Sequence, residues 1–337
     1  MSARVPRLRA GLIGLGAMGK HHARVLSTLD GVDLVGVLDP APTSVAPHGV
    51  PLLAELAELL ALDIDYAVMA CPTALHEEMG LRLADAGVHA LIEKPLAPSV
   101  DASRTLVEAF EGKGLIGAVG HIERYNPALQ SLRSRLENGD LGDIYQVVTR
   151  RQGPFPGRIA DVGVVMDLAT HDIDLTGWVT GREYLDVAAR TVSRSGRPHE
   201  DMVSAVARLD DGVIATHLVN WLSPFKERST VITGTRGCFV ADTLTADLTF
   251  YANGAIGTEW EALRAFRGVA EGDMIRYAIP KPEPLLVEHE RFRDAVEGKG
   301  SDIVTLRQGM RAVEVAAAVL TSARDGSTVQ VPVLVRA

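Results

Sequence analysis

The chain has 337 residues, more than one hydrophobic core of ordinary size organises, so we expect two domains. Hydrophobic residues make up 47% and charged residues 23% of the sequence, a balance typical of globular proteins, and the formal net charge is −9. This acidic balance argues against a nucleic-acid binder or a protein held on anionic lipid, so we expect neither partner.

The N-terminal segment briefly resembles a signal peptide, because Arg4, Arg7 and Arg9 precede an apolar run. That run is short and interrupted by glycines, and no apolar stretch approaches the ~20 residues that span a bilayer. The chain contains 2 cysteines, Cys71 and Cys238, too few for a disulfide framework or a cysteine-based metal site. We therefore expect a cytoplasmic protein without a metal.

Residues 8–120 alternate short apolar runs with amphipathic stretches. The runs RAGLIG, VDLVGVLD, DIDYAVMA, VHALIE and LIGAVG are predicted strands, and the segments between them are predicted helices. Strands alternating with helices of this length indicate βαβ units. The fold class predicted for residues 1–122 is therefore α/β, a Rossmann doubly wound parallel sheet.

Beyond residue 121 the pattern changes. Asn126 and Pro127 open a capped helix, and the runs that follow are rich in Val, Thr and aromatic residues. These runs include DIYQVVTRRQ, LDVAARTVS, SAVARL, VIATHLVNWL and STVITGTRGCFVAD, and they are joined by short turns. Residues 123–337 are therefore predicted to form an α+β domain with an open, largely antiparallel sheet that binds substrate.

A glycine pattern follows the first predicted strand. Gly14, Gly16 and Gly19 form G-x-G-x-x-G between a strand and a helix, and Asp39 ends the next strand 20 residues after Gly19. This context is typical of dinucleotide binding, with the pyrophosphate at the helix N-terminus and the acidic residue on the ribose hydroxyls. Because Asp39 repels a 2′-phosphate, we expect NAD rather than NADP. The cofactor residues predicted in this loop and strand are Gly14, Gly16, Ala17, Met18, Gly19 and Asp39.

Two later strands end in residues suited to the same cofactor. The first is followed by the turn Cys71, Pro72 and Thr73 and by a helix carrying His76, and the second ends in Glu93 and Lys94 before Pro95. Because the carboxyl ends of parallel strands share one edge of the sheet, we expect all of these residues at the cofactor crevice. A solvated surface charge is the alternative for Lys94.

The apolar stretch DVGVVMDLATHDIDL of the second domain contains Asp167, His171, Asp172 and Asp174 among Val, Met, Leu, Ala and Ile residues. Asp167 and His171 are four residues apart and share one helix face, where His171 is suited to act as a general base and Asp167 to orient it. Asp172 and Asp174 project to other sides of the helix and require other partners. An ordinary core histidine is the alternative for His171.

Four motifs occur in the order expected for one family. The glycine loop, CPTALH, EKPLA and DLATHDIDL together resemble the glucose–fructose oxidoreductase/inositol dehydrogenase/rhizopine catabolism family (Gfo/Idh/MocA). The resemblance implies a Rossmann domain, a C-terminal open-sheet domain and a catalytic set of Lys94, Asp167 and His171, with Lys94 stabilising the developing alkoxide. It also implies a homodimer or homotetramer. Cys71 departs from the family pattern, in which Thr or another small residue is more common.

Several basic and amide side chains cluster in loops and strand ends of the second domain. Since guanidinium groups suit phosphate, an anionic substrate is predicted. These segments resemble nucleotide-sugar members of the family, which implies oxidation of the 3-hydroxyl of a UDP-N-acetylglucosamine-like sugar. The substrate-binding residues predicted here are Arg124, Tyr125, Asn126, Arg158, Asn220, Lys226 and Arg228.

Two alternatives remain open from the sequence. One is a family relative that acts on inositol or another free sugar, or a ketoreductase that works in the reverse direction. The other is a nicotinamide-binding regulator without turnover, against which the retention of Lys94, Asp167 and His171 counts.

Overall fold

A computed structural model describes residues 7–41, 44–157, 162–254, 272–300 and 302–332. The Cα positions divide the chain into two compact units, each formed from two separate segments. Unit 1 contains Met1–Ile122 and Pro282–Glu314, and unit 2 contains Glu123–Lys281 and Val315–Ala337. The sequence predicts a single division between residues 122 and 123, which leaves residues 282–314 in the second domain, whereas these residues belong to unit 1.

Unit 1 is built on a six-stranded parallel sheet in the order β3-β2-β1-β4-β5-β6. The strands are β1 Leu8–Ile13, β2 Val32–Leu38, β3 Leu52–Leu53, β4 Tyr66–Met69, β5 His89–Glu93 and β6 Gly117–Gly120. The helices between them are α1 Ala17–Leu26, α2 Leu56–Leu60, α3 His76–Asp85 and α4 Val100–Gly112. This strand order is that of the dinucleotide-binding Rossmann fold, so the fold predicted for residues 1–122 is confirmed.

The returning segment of unit 1 carries helix α7, Pro284–Val296. Its Phe292 belongs to the hydrophobic core of the parallel sheet and meets Tyr66 edge to face, with ring centroids 5.3 Å apart. A core contact of this kind stabilises through buried aromatic area, which explains why α7 belongs to unit 1. The sequence pattern of α7 predicts a helix but not the sheet on which it packs.

Unit 2 is built on a nine-stranded sheet in the order β14-β13-β12-β11-β7-β10-β9-β8-β15. All neighbouring strands are antiparallel except β7 and β10, which confirms the predicted open, largely antiparallel sheet. The strands are β7 Ile144–Pro154, β8 Tyr184–Val192, β9 Met202–Leu209, β10 Ile214–Asn220, β11 Leu222–Gly234, β12 Gly237–Asp242, β13 Asp247–Ala252, β14 Met274–Arg276 and β15 Val329–Gln330.

Two helices of unit 2, α5 Pro127–Glu137 and α6 Thr170–Thr180, precede most of its strands. The long helix α8, Leu306–Asp325, contains the second boundary between the units. As predicted, Asn126 caps α5, and its side chain accepts a hydrogen bond of 3.0 Å from the Ala128 N–H. Among the described residues, the helices are too short or too polar for any of them to cross a bilayer.

Candidate active site

The glycine loop of unit 1 leaves the space that a dinucleotide requires. Gly14 has φ +96° and a Cβ there would lie 2.7 Å from the Ala70 carbonyl oxygen, whereas a Cβ on Gly19 would lie 2.0 Å from the Gly14 oxygen. Only glycine fits these two positions. A Cβ on Gly16 would meet nothing within 4 Å, so the backbone is open where α1 begins. This cradle fits a pyrophosphate at the N-terminus of α1.

Asp39 follows β2 and holds the same loop from the neighbouring strand. Its Oδ2 accepts a hydrogen bond of 2.5 Å from the Leu15 N–H, and its Oδ1 accepts one of 2.9 Å from the Ala41 N–H. Burial acts to raise the pKa of Asp39, but these backbone donors lower it below its ordinary value. The side chain is therefore a fixed carboxylate beside the glycine loop, the position the sequence predicts.

The turns after β4 and β5 are joined by one buried imidazole. The Nδ1 atom of His76 lies 3.1 Å from the carbonyl oxygens of both Pro95 and Leu96, and its Nε2 lies 3.1 Å from that of Cys71. His76 therefore braces the two turns instead of facing outward, and burial lowers its pKa although the carbonyl groups oppose this effect. Burial also raises the pKa of the neighbouring Cys71 thiol to about 11.

Glu93 is the last residue of β5, and Lys94 follows it directly. The Glu93 carboxylate lies inside unit 1, where Oε1 is 2.9 Å from His22 Nε2 and Oε2 accepts a hydrogen bond of 3.1 Å from the Lys94 N–H. Lys94 is half-buried and precedes Pro95 in a cis peptide bond. The sequence analysis placed Glu93 at the cofactor, whereas the structure gives its carboxylate partners from the protein interior.

Asp167 and His171 of unit 2 flank a change of helix type. The residues Val165–Ala169 form a π-helical turn that leads directly into α6. Asp167 lies within this turn and is buried, and His171 lies in the first turn of α6 and is half-buried. The sequence predicts an α-helix throughout, because hydrophobic periodicity does not reveal a single π-turn, a feature common at functional sites.

The two remaining acids of this stretch have arginine partners, as the sequence analysis requires. Asp172 lies 3.1 Å from Nε of Arg151, whose Nη1 donates a hydrogen bond of 2.7 Å to Glu123. Asp174 accepts hydrogen bonds of 2.8 and 2.5 Å from Arg124. Burial raises the pKa of Asp172 to about 6, against the opposing charge of Arg151. These ion pairs are buried and fix α6 against β7 and the segment that precedes α5.

The predicted substrate residues of unit 2 fall into two groups. Side chains with structural partners are Arg124, bound to Asp174, and Asn126, which also donates to the Thr243 carbonyl at 3.0 Å. Asn220 likewise donates to Gln152 at 2.8 Å and caps the turn into β11. Tyr125 is buried. Arg158 lies outside the described residues.

Lys226 and Arg228 lie on β11 and are more accessible. Lys226 is exposed, while Arg228 is half-buried and donates from Nη1 to the carbonyl oxygens of Gln152 and Glu227, at 2.7 and 2.9 Å. Arg228 stands directly opposite Arg151 in the β7–β11 ladder. Burial and the charge of Arg151 lower the pKa of Arg228. Arg151 and Glu123 are residues of this region whose structural role the sequence analysis missed.

The chain matches two family models. Residues 8–121 match the oxidoreductase family GFO_IDH_MocA, NAD-binding Rossmann fold, and residues 129–240 match the GFO/IDH/MocA C-terminal domain.

Two relatives show the range of activities among similar proteins. The UDP-N-acetylglucosamine 3-dehydrogenase of Acidithiobacillus ferrooxidans is 32% identical over 211 residues, which cover 62% of this chain and 65% of that protein, just under two thirds. The NAD(+)-dependent scyllo-inositol 2-dehydrogenase of Bacillus subtilis is 27% identical over 345 aligned residues, covering 97% of each. The solved structure of the Acidithiobacillus enzyme superposes with a TM-score of 0.81 at 26% identity, covering 95% of this chain and 99% of that one.

Proposed function

The chain belongs to the Gfo/Idh/MocA oxidoreductase family, and we propose that it is an NAD-dependent dehydrogenase that oxidises a secondary hydroxyl of a nucleotide sugar. The preferred substrate in this proposal is UDP-N-acetylglucosamine, oxidised at its 3-hydroxyl. The observation that carries the proposal is the likeness to the Acidithiobacillus UDP-N-acetylglucosamine 3-dehydrogenase in both sequence and fold.

Three side chains of the protein are assigned to the chemistry. His171 accepts the proton of the reacting hydroxyl, since an imidazole titrates near neutrality, and Asp167 in the adjoining π-turn orients it. The Lys94 ammonium stabilises the negative charge that develops on the same oxygen. NAD, when bound at the glycine loop, accepts the hydride from the carbon.

The charge arrangement on β11 supports an anionic substrate. Arg151 shares its charge with Asp172 and Glu123, but Arg228, directly opposite it, has no ion-pair partner among the residues that the structure describes. Two arginines opposite one another repel, and two of the acids that face Arg228, Asp172 and Glu123, are already the partners of Arg151. A diphosphate is suited to bind Arg228 because guanidinium groups bind its oxygens in a fork. Lys226, exposed on the same strand, is assigned to the binding of the same diphosphate.

Oxidation of a free cyclitol is the second candidate. It is favoured by the scyllo-inositol 2-dehydrogenase, which aligns over 97% of this chain. The two candidates differ in charge, because an inositol offers Arg228 no anion.

A substrate panel tests the proposal and separates the candidates. Purified protein is incubated with NAD and, separately, with UDP-, dTDP- and GDP-sugars and with myo- and scyllo-inositol, and formation of reduced cofactor is followed by absorbance. We expect turnover of UDP-N-acetylglucosamine, and an increase of at least ~10-fold in its KM for Arg228→Gln. Arg208→Gln, an exposed arginine of the same sheet, is the matched control and retains the wild-type KM.

The same panel contains the contradicting outcomes. Turnover of the inositols alone would replace the nucleotide-sugar assignment with the second candidate. NAD binding without turnover of any member of the panel would contradict the assignment as a sugar or cyclitol dehydrogenase.

A further inference from the structure

A buried row of polar side chains connects three segments of unit 1 behind Lys94. His289 on α7 places its Nε2 2.8 Å from Nδ1 of His22 on α1, and Nε2 of His22 lies 2.9 Å from Oε1 of Glu93. Oε2 of Glu93 accepts the hydrogen bond from the Lys94 N–H. We call His289, His22 and Glu93 the histidine–glutamate relay. All three residues are buried, and His22 has no exposed surface.

The geometry of the relay fixes the Glu93 carboxylate at both oxygens. One oxygen faces a donor on the helix that follows the glycine loop, and the other binds the backbone of the residue assigned to the chemistry. A Cβ on Gly120 of the neighbouring strand would lie 3.2 Å from the Glu93 carboxyl carbon, so the glutamate is packed tightly from that side as well. A buried side chain held in this way has one conformation, and the turn it binds is held with it.

Charge in the relay is concentrated on Glu93. Burial acts to raise its pKa, but the hydrogen bond and charge of His22 and the charge of Lys94 lower the pKa below the ordinary value. Glu288 is buried beside it, without a hydrogen-bond partner for either carboxyl oxygen among the described residues, and burial and the Glu93 charge raise its pKa well above normal. Burial, followed by the charge of His22, lowers the pKa of His289 well below normal.

The titratable and charged groups that face Glu93 come from each element around it. They are His22 of α1, His76 of α3, Lys94 after β5, and Glu288 and His289 of α7. The directions of these pKa shifts favour the neutral forms of Glu288 and His289 and the anionic form of Glu93.

We propose that His22 and Glu93 are positioning residues for Lys94, coupling the helix of the cofactor loop to the turn that carries the lysine. The proposal rests on the function assigned to Lys94 above. It predicts that Lys94 is placed correctly only while Glu93 is ionised and bound by His22. In this arrangement Glu93 acts through the backbone and charge of Lys94, and not by contact with the cofactor.

Two variants of His22 separate positioning from packing. His22→Leu fills the site but removes the donor, whereas the side-chain amide of His22→Gln retains a donor to Glu93. We expect His22→Leu to lower kcat about 10- to 100-fold with an unchanged sugar KM, and His22→Gln to restore most of it. His21→Asn, at the exposed neighbour on α1, is the control.

Amide hydrogen exchange gives a measurement that needs no substrate. The Lys94 N–H is protected by Glu93 Oε2, so we expect faster exchange at Lys94 in His22→Leu and in Glu93→Met, whose thioether is only a weak acceptor, but not in His22→Gln. Wild-type exchange at Lys94 in Glu93→Met, which remains informative if His22→Leu does not fold, would overturn the proposal. If the substrate panel gives no turnover, the exchange result still decides whether the relay holds Lys94.

Discussion

Arg124 and Asp174 form a buried, two-pronged ion pair in unit 2, with N–O distances of 2.8 and 2.5 Å. This pair and the neighbouring pair of Arg151 with Asp172 account for two of the acids in the apolar stretch around α6. Asp172 and Asp174 therefore hold α6 in place, whereas Asp167 is assigned to the chemistry.

Breaking the Arg124 pair is expected to destabilise the protein. Asp174→Ala leaves the buried guanidinium without its carboxylate, so we expect the free energy of unfolding to fall by about 3–5 kcal/mol. The measurement is denaturant unfolding. Asp186→Ala, which breaks the more exposed pair with Arg208, is the control and is expected to cost about 1 kcal/mol or less. Equal losses in the two variants would show that burial does not govern the strength of the Arg124 pair.

Lys94→Ala and His171→Ala are each expected to lower turnover by at least ~100-fold, since each removes a proton acceptor or a charge from the reacting oxygen. Cofactor affinity is measured separately by titration and is expected to stay within a few-fold of wild type. Lys113→Ala, an exposed lysine of unit 1, serves as the control for loss of a positive charge. Near-normal turnover in either variant would remove that residue from the mechanism.

The glycine loop offers two substitutions with opposite expected effects. Gly16→Ala adds a Cβ into open space, so stability is retained while the affinity for NAD falls about 10-fold or more. Gly14→Ala meets backbone atoms at φ +96° and is expected to lower the free energy of unfolding by about 1–3 kcal/mol. Thermal unfolding and NAD titration distinguish the two effects. Unchanged NAD affinity in Gly16→Ala would exclude the close approach of the pyrophosphate to this loop.

His217 is expected to make the stability of the protein depend on pH. Its ring lies between Thr149 Oγ1 at 2.8 Å and Tyr184 OH at 3.0 Å, and burial lowers its pKa to about 4. At His217 the unfolded chain therefore binds a proton more readily than the folded protein does. The stability contributed by the buried neutral imidazole is complete above pH ~6.5 and is lost as the pH falls towards 4.

Between pH 7 and pH 5 the loss from His217 is about 2 kcal/mol. Denaturant unfolding at the two pH values measures it, and His217→Gln is expected to reduce the difference by that amount. A variant with the full wild-type pH dependence would assign the effect to other buried histidines such as His76 and His289.

Much of the fold could be predicted from periodicity and turn residues. Each strand of the parallel sheet except the two-residue β3 is a separate apolar run, and the glycines and Asp39 mark the ends of β1 and β2. The sequence predicts one strand from Ser229 to Asp242. In the structure this run forms the ends of two strands, β11 and β12, joined by a turn at Thr235 and Arg236. Lone Gly, Thr and Arg residues do not specify a hairpin as strongly as an Asn-Gly pair.

Less of the candidate site than of the fold could be predicted from the sequence. Position in the chain is enough to suggest roles for Gly14, Gly16 and Asp39, because these residues act locally. The partners of Asp172 and Asp174 could not be assigned, since Arg151 and Arg124 are distant in sequence and their pairing depends on how α6 packs. His22 and His289 are separated by 267 residues, and nothing in the local pattern around either indicates the other.

The divided composition of unit 1 has a consequence for synthesis. When residues 1–122 have emerged from the ribosome, the parallel sheet still lacks Phe292 in its core, and His22 still lacks its partner His289. An N-terminal fragment therefore exposes apolar surface, and leaves His22 without its partner His289, until the whole of unit 2's first segment and α7 have emerged. Cotranslational folding of the nucleotide-binding half must wait for the arrival of α7, so nascent chains halted before that point are the forms most in need of chaperones.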